Sequence, residues 1–538
     1  MRYAFTLSVV SVLVLLAITG ALRKPAEPLV LPQVFSPRSC GYQADSESGI
    51  SVECFWLFSG GFQLPVAVFS PLNQHRAELL VYLSGGPGSG MQTGYDNLED
   101  WFYWYQLHQP GADLVVFTPR GTPGSQSYLH CDRLETESLA LLGRNATLEE
   151  EFTVGGEAIR DCLVRYQSLL ALQNPGLDLG GAFASGAQAN DSLMLVEQLT
   201  QRFHYTRTHL WGVSYGTRVA LKAAQLVSID TLKPEIASLI LDSVYPFNHG
   251  RQSEWAELQQ AGMAMHQQYF SQQPVGGYTT FDALYASASS RLADPLRLEV
   301  SNWYGGQAPE IDALASLAIY RRDTLAVVLN RDRLLALAGF SLYSPQLAIS
   351  FQQALAQWLT TGSTELLEQF VEVFLASSFD PAFSTLVFFA TECADNPRDT
   401  DADYARAFQA FPRWRELLDL QRRHDVCQLP VFSSSERWLG NYATDIPTLI
   451  ISGEKDPVTP ASWARELHAQ LPESTLIEVQ NQGHGVLSSG GCSAELITQW
   501  LAAWKLAAQV KGGEMATRDG ELGQFCQPSD ETGVDEWR

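Results

Sequence analysis

A serine, an aspartate and a histidine stand in local settings that suit nucleophilic catalysis. Ser214 is the centre of GVSYG, which matches the pattern G-x-S-x-G. A serine hydroxyl is a weak nucleophile until a base takes its proton, and the base needs an acid that holds its tautomer. Asp456 and His484 follow Ser214 in the order acid, then histidine. The three residues therefore predict acyl transfer through a covalent intermediate on Ser214.

The segments around Ser214 predict a sharp turn between a strand and a helix. THLWGVS before it is typical of a strand, and YGTRVALKAAQL after it of a helix. Such a turn lifts the hydroxyl above the sheet, and glycines at both flanks let the backbone pack closely. The backbone N–H of Tyr215, at the helix N-terminus, would then face a developing oxyanion. The alternative is an ordinary strand-turn-helix junction.

A glycine-rich loop, residues 84–90, follows an earlier apolar run and offers a second oxyanion donor, for which we select the N–H of Gly86. The loop has neither the GK[ST] that completes a phosphate cradle nor the spacing of a dinucleotide site. A purely structural loop is the alternative reading.

Two carboxylates compete for the acid role in GEKDPVTP, which are Glu454 and Asp456. Pro457 fixes the chain directly after Asp456 and favours it, with Thr459 as a helix N-cap beyond. Glu454 is then expected to be a solvated loop charge. His484 lies between glycines after a last strand, where a loop can carry it over the nucleophile.

Strand-like and helix-like segments alternate along most of the chain. Apolar runs indicate buried strands, and two stretches, 148–173 and 187–203, have apolar residues at helical spacing. Alternation of this kind predicts an α/β fold with a mostly parallel sheet and helices on both faces. The strand segments are GISVECFWL and FQLPVAVFS, joined as a hairpin, then AELLVYLS, ADLVVFTP, THLWGVS, IASLILDSV, IPTLIISG and STLIEVQ.

The alternation is interrupted by a long stretch that we predict to be a mainly helical cap, 246–442. It includes LRLEVSNWY and ALASLAIYRRDTLAVVLNRDRLLALAG, both interpreted as helical. The cap divides the core into a first part, 35–245, and a C-terminal part, 443–510, and a polar tail follows at 511–538.

Charge and the N-terminal sequence bound the partners and the compartment. The net charge is −24, and no run of Lys and Arg offers a surface for nucleic acid. An apolar segment preceded by Arg2 makes 1–25 a signal peptide or an uncleaved N-terminal anchor. We therefore expect an exported protein, periplasmic or extracellular, that contacts a membrane only through that segment.

Eight cysteines fit the same expectation, since an even count in an exported chain indicates disulfide bonds. Eight cysteines allow 105 connectivities, and pairing of sequence neighbours is favoured because the loops are then short. No Cys or His spacing indicates a metal site. The sequence-local couples are Cys40 and Cys54, Cys131 and Cys162, Cys393 and Cys427, and Cys492 and Cys526.

The chain resembles the α/β-hydrolase serine aminopeptidases, the family that includes prolyl and tripeptidyl aminopeptidases. Its C-terminal segment resembles TAP-like proteins. The resemblance rests on segments in the family's order that span nearly the whole chain after its N-terminal segment. These are GGPGSG at 85–90, PRGTPGS at 119–125, GVSYGT at 212–217, LDSVYP at 241–246, CADNP at 393–397, GEKDPVTP and NQGHG.

The resemblance implies an α/β-hydrolase fold and release of residues or short peptides from a free N-terminus. It implies Ser214, Asp456 and His484 as the triad, N–H groups of Gly86 and Tyr215 as the oxyanion hole, and no metal or organic cofactor. Acids in the cap bind the substrate's α-ammonium in that family, and Glu392 and Asp395 are the candidates here. A role for these two acids on the cap surface or in salt bridges is the alternative.

Two other functions remain open from the sequence. An esterase or lipase would use the same triad on an ester, and a binding protein on the same scaffold would not use it at all. The sequence specifies neither the preferred N-terminal residue nor the oligomeric state.

Overall fold

A computed structural model describes ten stretches of the chain, and the N-terminal segment 1–25, the tail 511–538, Cys492 and Cys526 lie outside them. The described residues are 34–42, 47–73, 75–90, 95–125, 127–230, 233–301, 324–432, 442, 444–486 and 493–509.

A nine-stranded sheet forms the centre of the molecule. Its spatial order is β1-β2-β3-β5-β4-β6-β7-β10-β11. The first three strands are antiparallel to their neighbours, whereas β5, β4, β6, β7, β10 and β11 run parallel. The strands are β1 (Phe35–Arg38), β2 (Ile50–Ser59), β3 (Phe62–Pro71), β4 (Glu78–Leu83), β5 (Asp113–Phe117), β6 (Arg207–Val213), β7 (Ser238–Asp242), β10 (Thr448–Gly453) and β11 (Ser474–Val479).

Side chains of the central strands alternate between two hydrophobic layers. Leu79 and Val81 of β4 pack into the layer on one face of the sheet, and Leu80 between them packs into the other. β7 divides in the same way, with Leu239 and Ile240 on opposite faces. Because both faces are apolar, the sheet requires helices on each side, as the continuous apolar runs predict.

Helices cover both faces of the sheet. α1 (Tyr95–His108) and α16 (Ser493–Gln509) contribute to one layer, and α5 (Ser185–Phe203), α6 (Tyr215–Ile229) and α15 (Ala461–Gln470) to the other. The remaining helices before β7 are α2 (Asp132–Leu142), α3 (Leu148–Gln173) and α4 (Leu179–Phe183).

The chain between β7 and β10 is mainly helical and has a hydrophobic core of its own. One of its helices, α12, instead packs against the core of the sheet through Leu386, Val387 and Ala390. The helices of this insertion are α7 (Trp255–Gln272), α8 (Phe281–Arg291), α9 (Arg331–Phe340), α10 (Pro345–Thr361), α11 (Glu365–Ser378), α12 (Thr385–Asp395), α13 (Asp401–Ala410) and α14 (Arg415–Arg423).

Parts of two segments predicted to be helical are strands, so the prediction is wrong there, whereas the end of the longer segment forms helix α9 as predicted. β8 (Leu296–Ser301) and β9 (Thr324–Leu329) form a separate antiparallel hairpin. In β8 the buried residues Leu298 and Val300 alternate with exposed ones, and this period of two belongs to a half-buried strand. The ALASLAIYR part of the longer predicted helix lies outside the described residues.

Three of the four expected cysteine pairs are present as disulfide bonds. Cys40 bonds Cys54, Cys131 bonds Cys162, and Cys393 bonds Cys427. Each bridge joins two parts of the chain that are near in sequence, with separations of 14, 31 and 34 residues. The bridges are compatible with an exported protein. No helix in the described stretches is long and apolar enough to cross a membrane.

Candidate active site

Ser214 occupies a strained turn between β6 and α6. Its φ is 54° and its ψ is −120°, a backbone conformation that residues other than glycine rarely adopt. The N–H of Ser214 donates to the carbonyl oxygen of Asp242 at 2.8 Å, which fixes the turn to the end of β7. Ser214 is partly exposed, although the residues on either side of it are buried. The turn therefore presents this side chain at the C-terminal edge of the sheet.

Glycines at both flanks of the turn are required by close packing. A Cβ added at Gly216 would lie 2.0 Å from the carbonyl oxygen of Leu83, and one at Gly212 would lie 2.5 Å from the carbonyl oxygen of Gly216. Both distances are far below van der Waals contact. The two glycines of the motif thus allow α6 to pack directly over the end of β4.

Asp456 and His484 are joined by a direct hydrogen bond. Asp456 Oδ2 is 2.9 Å from His484 Nδ1, and this carboxylate also accepts hydrogen bonds from the N–H groups of Val458 and Thr459 and from the Thr459 hydroxyl. Asp456 is 3% exposed. The carboxylate is therefore held by four donors, and it orients the imidazole of His484.

Each partner shifts the pKa of the other. Burial acts to lower the pKa of His484, but the charge and hydrogen bond of Asp456 outweigh burial, and the pKa lies above its ordinary value. Burial also acts to raise the pKa of Asp456, and the attraction of His484 with the hydrogen bonds of Thr459 outweighs it, so this pKa is lowered. The pair thus favours an ionised carboxylate beside a basic imidazole.

The loops that carry these two residues are tied to each other. Lys455 Nζ donates to Asn481 Oδ1 at 2.8 Å, and Lys455 N–H donates to the carbonyl oxygen of Gln482. Lys455 also lies over the ring of Tyr269 on α7, with 4.8 Å between Nζ and the ring centroid. Because Lys455 precedes Asp456, these contacts fix the acid relative to the histidine loop.

The insertion also contacts the histidine loop. The backbone N–H of His484 donates to the carbonyl oxygen of Tyr343 at 3.2 Å, and the rings of the two residues meet edge to face at 5.8 Å. Tyr343 is 48% exposed, so an aromatic surface stands beside the imidazole.

The loop at 84–90 approaches Ser214 and is paired with the insertion. A Cβ added at Gly85 would lie 3.3 Å from Ser214 Cβ, and Gly86 has a φ of 110°. Gly90 N–H donates to the carbonyl oxygen of Ala382, and Ser384 N–H donates to the carbonyl oxygen of Gly88. Residues 382–384 therefore hold the loop from which Gly86 would donate. Tyr215 is the first residue of α6, where an N–H has no partner within the helix.

Glu392 lies on α12, at the wall of a cavity of about 690 Å³. Its Oε2 accepts hydrogen bonds from the Tyr245 hydroxyl at 2.9 Å and from Asn396 Nδ2 at 2.6 Å. Its Oε1 is buried and has no hydrogen-bond partner within the part of the chain that is described. Burial raises the pKa of Glu392, against the opposing effect of Arg218. An ammonium group in the cavity would supply the missing donor.

Asp395 is turned toward the core. Its carboxylate accepts from the backbone N–H and the hydroxyl of Ser185, and the side chain is buried. Burial raises the pKa of Asp395 to about 6, against the opposing effect of Arg218. Asp395 is not among the residues that line the cavity. The structure thus separates the two cap acids that the sequence places side by side.

The cavity follows α12 away from the glycine-rich loop. Its lining includes Phe388, and a Cβ added at Gly88 would lie 3.2 Å from the backbone nitrogen of Phe388. Asn396 lines it further along the helix, and Asp399 beyond the end of the helix. Ser214, Asp456 and His484 do not line it. Phe388 therefore lies between the glycine-rich loop and the cavity, although no residue of 84–90 lines the cavity.

Glu454 lies outside the site, whereas three residues that the sequence does not single out belong to it. Glu454 is exposed and accepts from the N–H of Asn481, so it stands apart from the imidazole. Arg218, Tyr245 and Asn396 surround Glu392 instead. Arg218 has a local signal, since it is a charged residue on the apolar stretch of α6, whereas Tyr245 and Asn396 lie in LDSVYP and CADNP without any indication of their contacts.

Parts of the chain are similar to known proteins. Residues 419–512, which carry Asp456 and His484, match the family model described as TAP-like protein. The chain has the α/β-hydrolase fold, and its C-terminal segment is similar to TAP-like proteins. A probable proline iminopeptidase of Leptolyngbya boryana is 47% identical over 49 residues, which are 9% of this chain and 15% of that protein. The chain thus matches about one seventh of the length of this curated relative.

Solved structures of several hydrolases are similar to this chain at low identity and low TM-score. Proline iminopeptidase of Mycobacterium smegmatis is 14% identical, with a TM-score of 0.37 over 85% of this chain and all of that one. An esterase of Exiguobacterium antarcticum is 14% identical, with a TM-score of 0.34 over 84% and 98%. An epoxide hydrolase of Vigna radiata is 12% identical, with a TM-score of 0.34 over 86% and 99%.

Proposed function

We propose that this α/β hydrolase is a serine exopeptidase that releases N-terminal residues or short peptides from substrates with a free amino group. The observation that carries the hydrolytic part is the hydrogen bond between Asp456 and His484, on loops at the edge of the sheet where Ser214 occupies its strained turn. Glu392 supports the exopeptidase part, because it places a carboxylate in the wall of a cavity that Phe388, next to Gly88, also lines.

In the proposed reaction His484 removes the proton of Ser214, whose oxygen attacks the carbonyl carbon of the scissile peptide bond. The N–H groups of Gly86 and Tyr215 stabilise the oxyanion. His484 then protonates the leaving amine, which departs with the C-terminal part of the substrate. Water attacks the acyl-enzyme with His484 again as base, and the N-terminal residue or peptide is released. Asp456 holds the imidazole in the required tautomer throughout.

A carboxylate at the cavity wall distinguishes an exopeptidase from an esterase in physical terms. A buried anion with an unfilled hydrogen-bond site stabilises an ammonium group far more than a neutral group. An esterase acting on neutral acyl chains gains nothing from such a residue. We therefore expect the free amine of the substrate to contribute strongly to kcat/KM.

The test compares three classes of substrate, of which the first two share p-nitroaniline as the leaving group. These are a set of aminoacyl and tripeptidyl p-nitroanilides with free amines, the same anilides acetylated at nitrogen, and short p-nitrophenyl esters. The proposal predicts cleavage of the free-amine anilides and at least a hundredfold loss on acetylation. Equal or faster cleavage of the acetylated anilides would contradict it, and hydrolysis of the esters alone would support an esterase instead.

A matched pair of variants links this preference to Glu392. Glu392→Gln keeps the shape of the side chain and removes its charge, so KM for the free-amine anilides should rise at least tenfold. Asp401→Asn removes an acid at the exposed rim of the same cavity, where it pairs with Arg422, and should leave KM unchanged. Equal effects of both variants would count against a specific amine site at Glu392.

A further inference from the structure

Arg218 is a buried cation one helical turn after the candidate nucleophile. It lies on α6 four residues beyond Ser214, and none of its surface is exposed. A buried guanidinium whose donors have no hydrogen-bond partners costs several kcal/mol of folding free energy. The partners that satisfy it therefore indicate what the residue is for.

The partners of Arg218 come from two other parts of the chain. Its Nε donates to the carbonyl oxygen of Tyr245, and its Nη2 donates to those of Pro246 and His249. Its Nη1 donates to Asn396 Oδ1 at 2.6 Å. One guanidinium thus connects the nucleophile helix, the segment after β7 and the end of α12.

The same partners are the donors that hold Glu392. Asn396 accepts from Arg218 through Oδ1 and donates to Glu392 through Nδ2. The ring of Tyr245 lies under the guanidinium, with 3.5 Å between Arg218 Cζ and the ring centroid, and its hydroxyl donates to Glu392. Both hydrogen bonds to Glu392 therefore come from side chains that Arg218 contacts directly.

We propose that Arg218 is a positioning residue that fixes the Glu392 carboxylate, in its charged form, at a set distance from Ser214. Because Arg218 lies on α6 four residues after Ser214, the cation, the two donors and Glu392 form a chain of contacts anchored on the helix that follows the nucleophile. This chain sets where the substrate's amino group sits relative to the attacked carbonyl carbon. The inference rests on the proposed function and names the residue that tunes its amine site.

The charges around Glu392 agree with this role. Burial raises its pKa, while Arg218 and the hydrogen bonds of Tyr245 and Asn396 lower it. Asp395, on the same helix, and Tyr215, on α6, also interact electrostatically with Glu392, and neither group is a cation. Arg218 is thus the positive charge that opposes burial at this carboxylate.

The first test removes one donor and leaves the packing in place. Tyr245→Phe deletes the hydroxyl that donates to Glu392 and keeps the ring under Arg218. The charged form of Glu392 is then less stable, so it protonates at higher pH. We expect KM for a free-amine anilide at pH 7 to rise about tenfold, and the acid limb of kcat/KM to move to higher pH. The value of kcat at saturation should change little.

The control is Tyr404, a tyrosine that lines the cavity and lies outside the network around Glu392. The Tyr404 hydroxyl donates to Gln252 instead of Glu392, so Tyr404→Phe makes the same chemical change without touching the network. Its KM and pH profile should match those of the unmodified protein. The inference is wrong if Tyr245→Phe leaves both quantities unchanged, or if Tyr404→Phe shifts them as much.

A second set of variants tests the cation itself. Arg218→Met removes the charge, and Arg218→Lys keeps the charge with fewer donors, so the lysine variant should recover part of the affinity that the methionine variant loses. Folding of each variant is checked by circular dichroism, and Asn396→Leu removes the other donor where Arg218→Met does not fold. Asn396→Leu should also raise KM, and an unchanged KM in that variant would overturn the inference.

A probe without an amine separates this inference from the proposed function. The rate of Ser214 labelling by a fluorophosphonate reports on the triad alone, and it should be the same in the Tyr245 and Asn396 variants as in the unmodified protein. A labelling rate that falls in parallel with kcat/KM would assign the network a general structural role and overturn the inference. If the unmodified protein cleaves acetylated anilides as well as free-amine ones, the proposed function itself fails.

Discussion

Gly216 on α6 packs against Leu83 at the end of β4, so closely that a Cβ on the glycine would lie 2.0 Å from the leucine carbonyl oxygen. The contact explains why the residue two positions after the candidate nucleophile has no side chain. It also fixes the height of Ser214 above the sheet, because the turn is continuous with the first residues of α6.

Gly216→Ala is therefore expected to destabilise the fold by at least about 1–3 kcal/mol, since a methyl group must displace backbone atoms. Urea unfolding followed by tryptophan fluorescence measures the change. Gly155→Ala is the matched control, because this glycine lies within α3 and the nearest atom to its added Cβ would be 3.7 Å away. The control should be neutral or slightly more stable. Equal stability of Gly216→Ala and the unmodified protein would show that the contact is not restrictive.

Asp456→Asn is expected to reduce kcat by about 10⁴-fold on any substrate, because the amide no longer selects the tautomer of His484 that accepts the serine proton. The neighbouring Glu454→Gln is the control, since Glu454 is exposed and its side chain accepts from the backbone N–H of Asn481 and not from His484. This variant should keep nearly full activity. A larger loss in Glu454→Gln than in Asp456→Asn would reverse the assignment of the acid.

The pH dependence of activity follows from the pKa of His484, which lies above the ordinary value of 6.5. The base must be neutral, so activity falls as pH decreases through that raised pKa and the imidazole gains a proton. The acid limb of kcat/KM for a neutral ester should thus be centred above pH 6.5. A rate that stays flat down to pH 5 would count against His484 as the base.

The effect of Asp456 on the pKa of His484 can be measured directly. Asp456→Asn removes the charge that raises the pKa of His484, while burial, which lowers it, remains. The acid limb of the residual activity should move to lower pH. An unmoved limb would mean that another group controls it.

The Cys393–Cys427 bridge ties the helix of Glu392 to a short segment, Val426–Gln428, that also lines the cavity. Replacing both cysteines by alanine should lower the free energy of unfolding by about 2–4 kcal/mol and raise KM for free-amine anilides. Replacing Cys40 and Cys54 by alanine makes the same chemical change at the sheet edge, far in sequence from the cavity residues. This second variant should lose stability without a change in KM. Equal KM values in the two variants would contradict a role for the bridge in shaping the cavity.

Local sequence patterns predict the sheet and the strands after which Ser214, Asp456 and His484 lie. Continuous apolar runs mark the buried strands, and Ser214, Asp456 and His484 each follow one of them, so the parallel order of the strands brings their loops to one edge. The hairpin of β8 and β9 was not predicted, because Thr324–Leu329 is short and adjoins the helix-forming residues of α9. In that setting an apolar run fits a helix or a strand equally well.

Contacts between distant parts of the chain are what the sequence leaves out. Arg218 bonds Asn396 across 178 residues, and no local spacing encodes that pairing. Glu392 and Asp395 stand three residues apart on one helix and look equivalent in the sequence, yet one lines the cavity and the other bonds Ser185 in the core. Their difference arises from how α12 is rotated against α5, which depends on packing of the whole insertion.

Covalent labelling of Ser214 tests the central claim most directly. A fluorophosphonate should add one phosphonyl group to the unmodified protein, and peptide mass spectrometry should locate it on Ser214. Ser228→Ala, an exposed serine on the same helix, should label at the normal rate, whereas Ser214→Ala should not label. Labelling of Ser214→Ala at the rate of the unmodified protein, or an adduct on another residue, would contradict the assignment of Ser214 as the nucleophile.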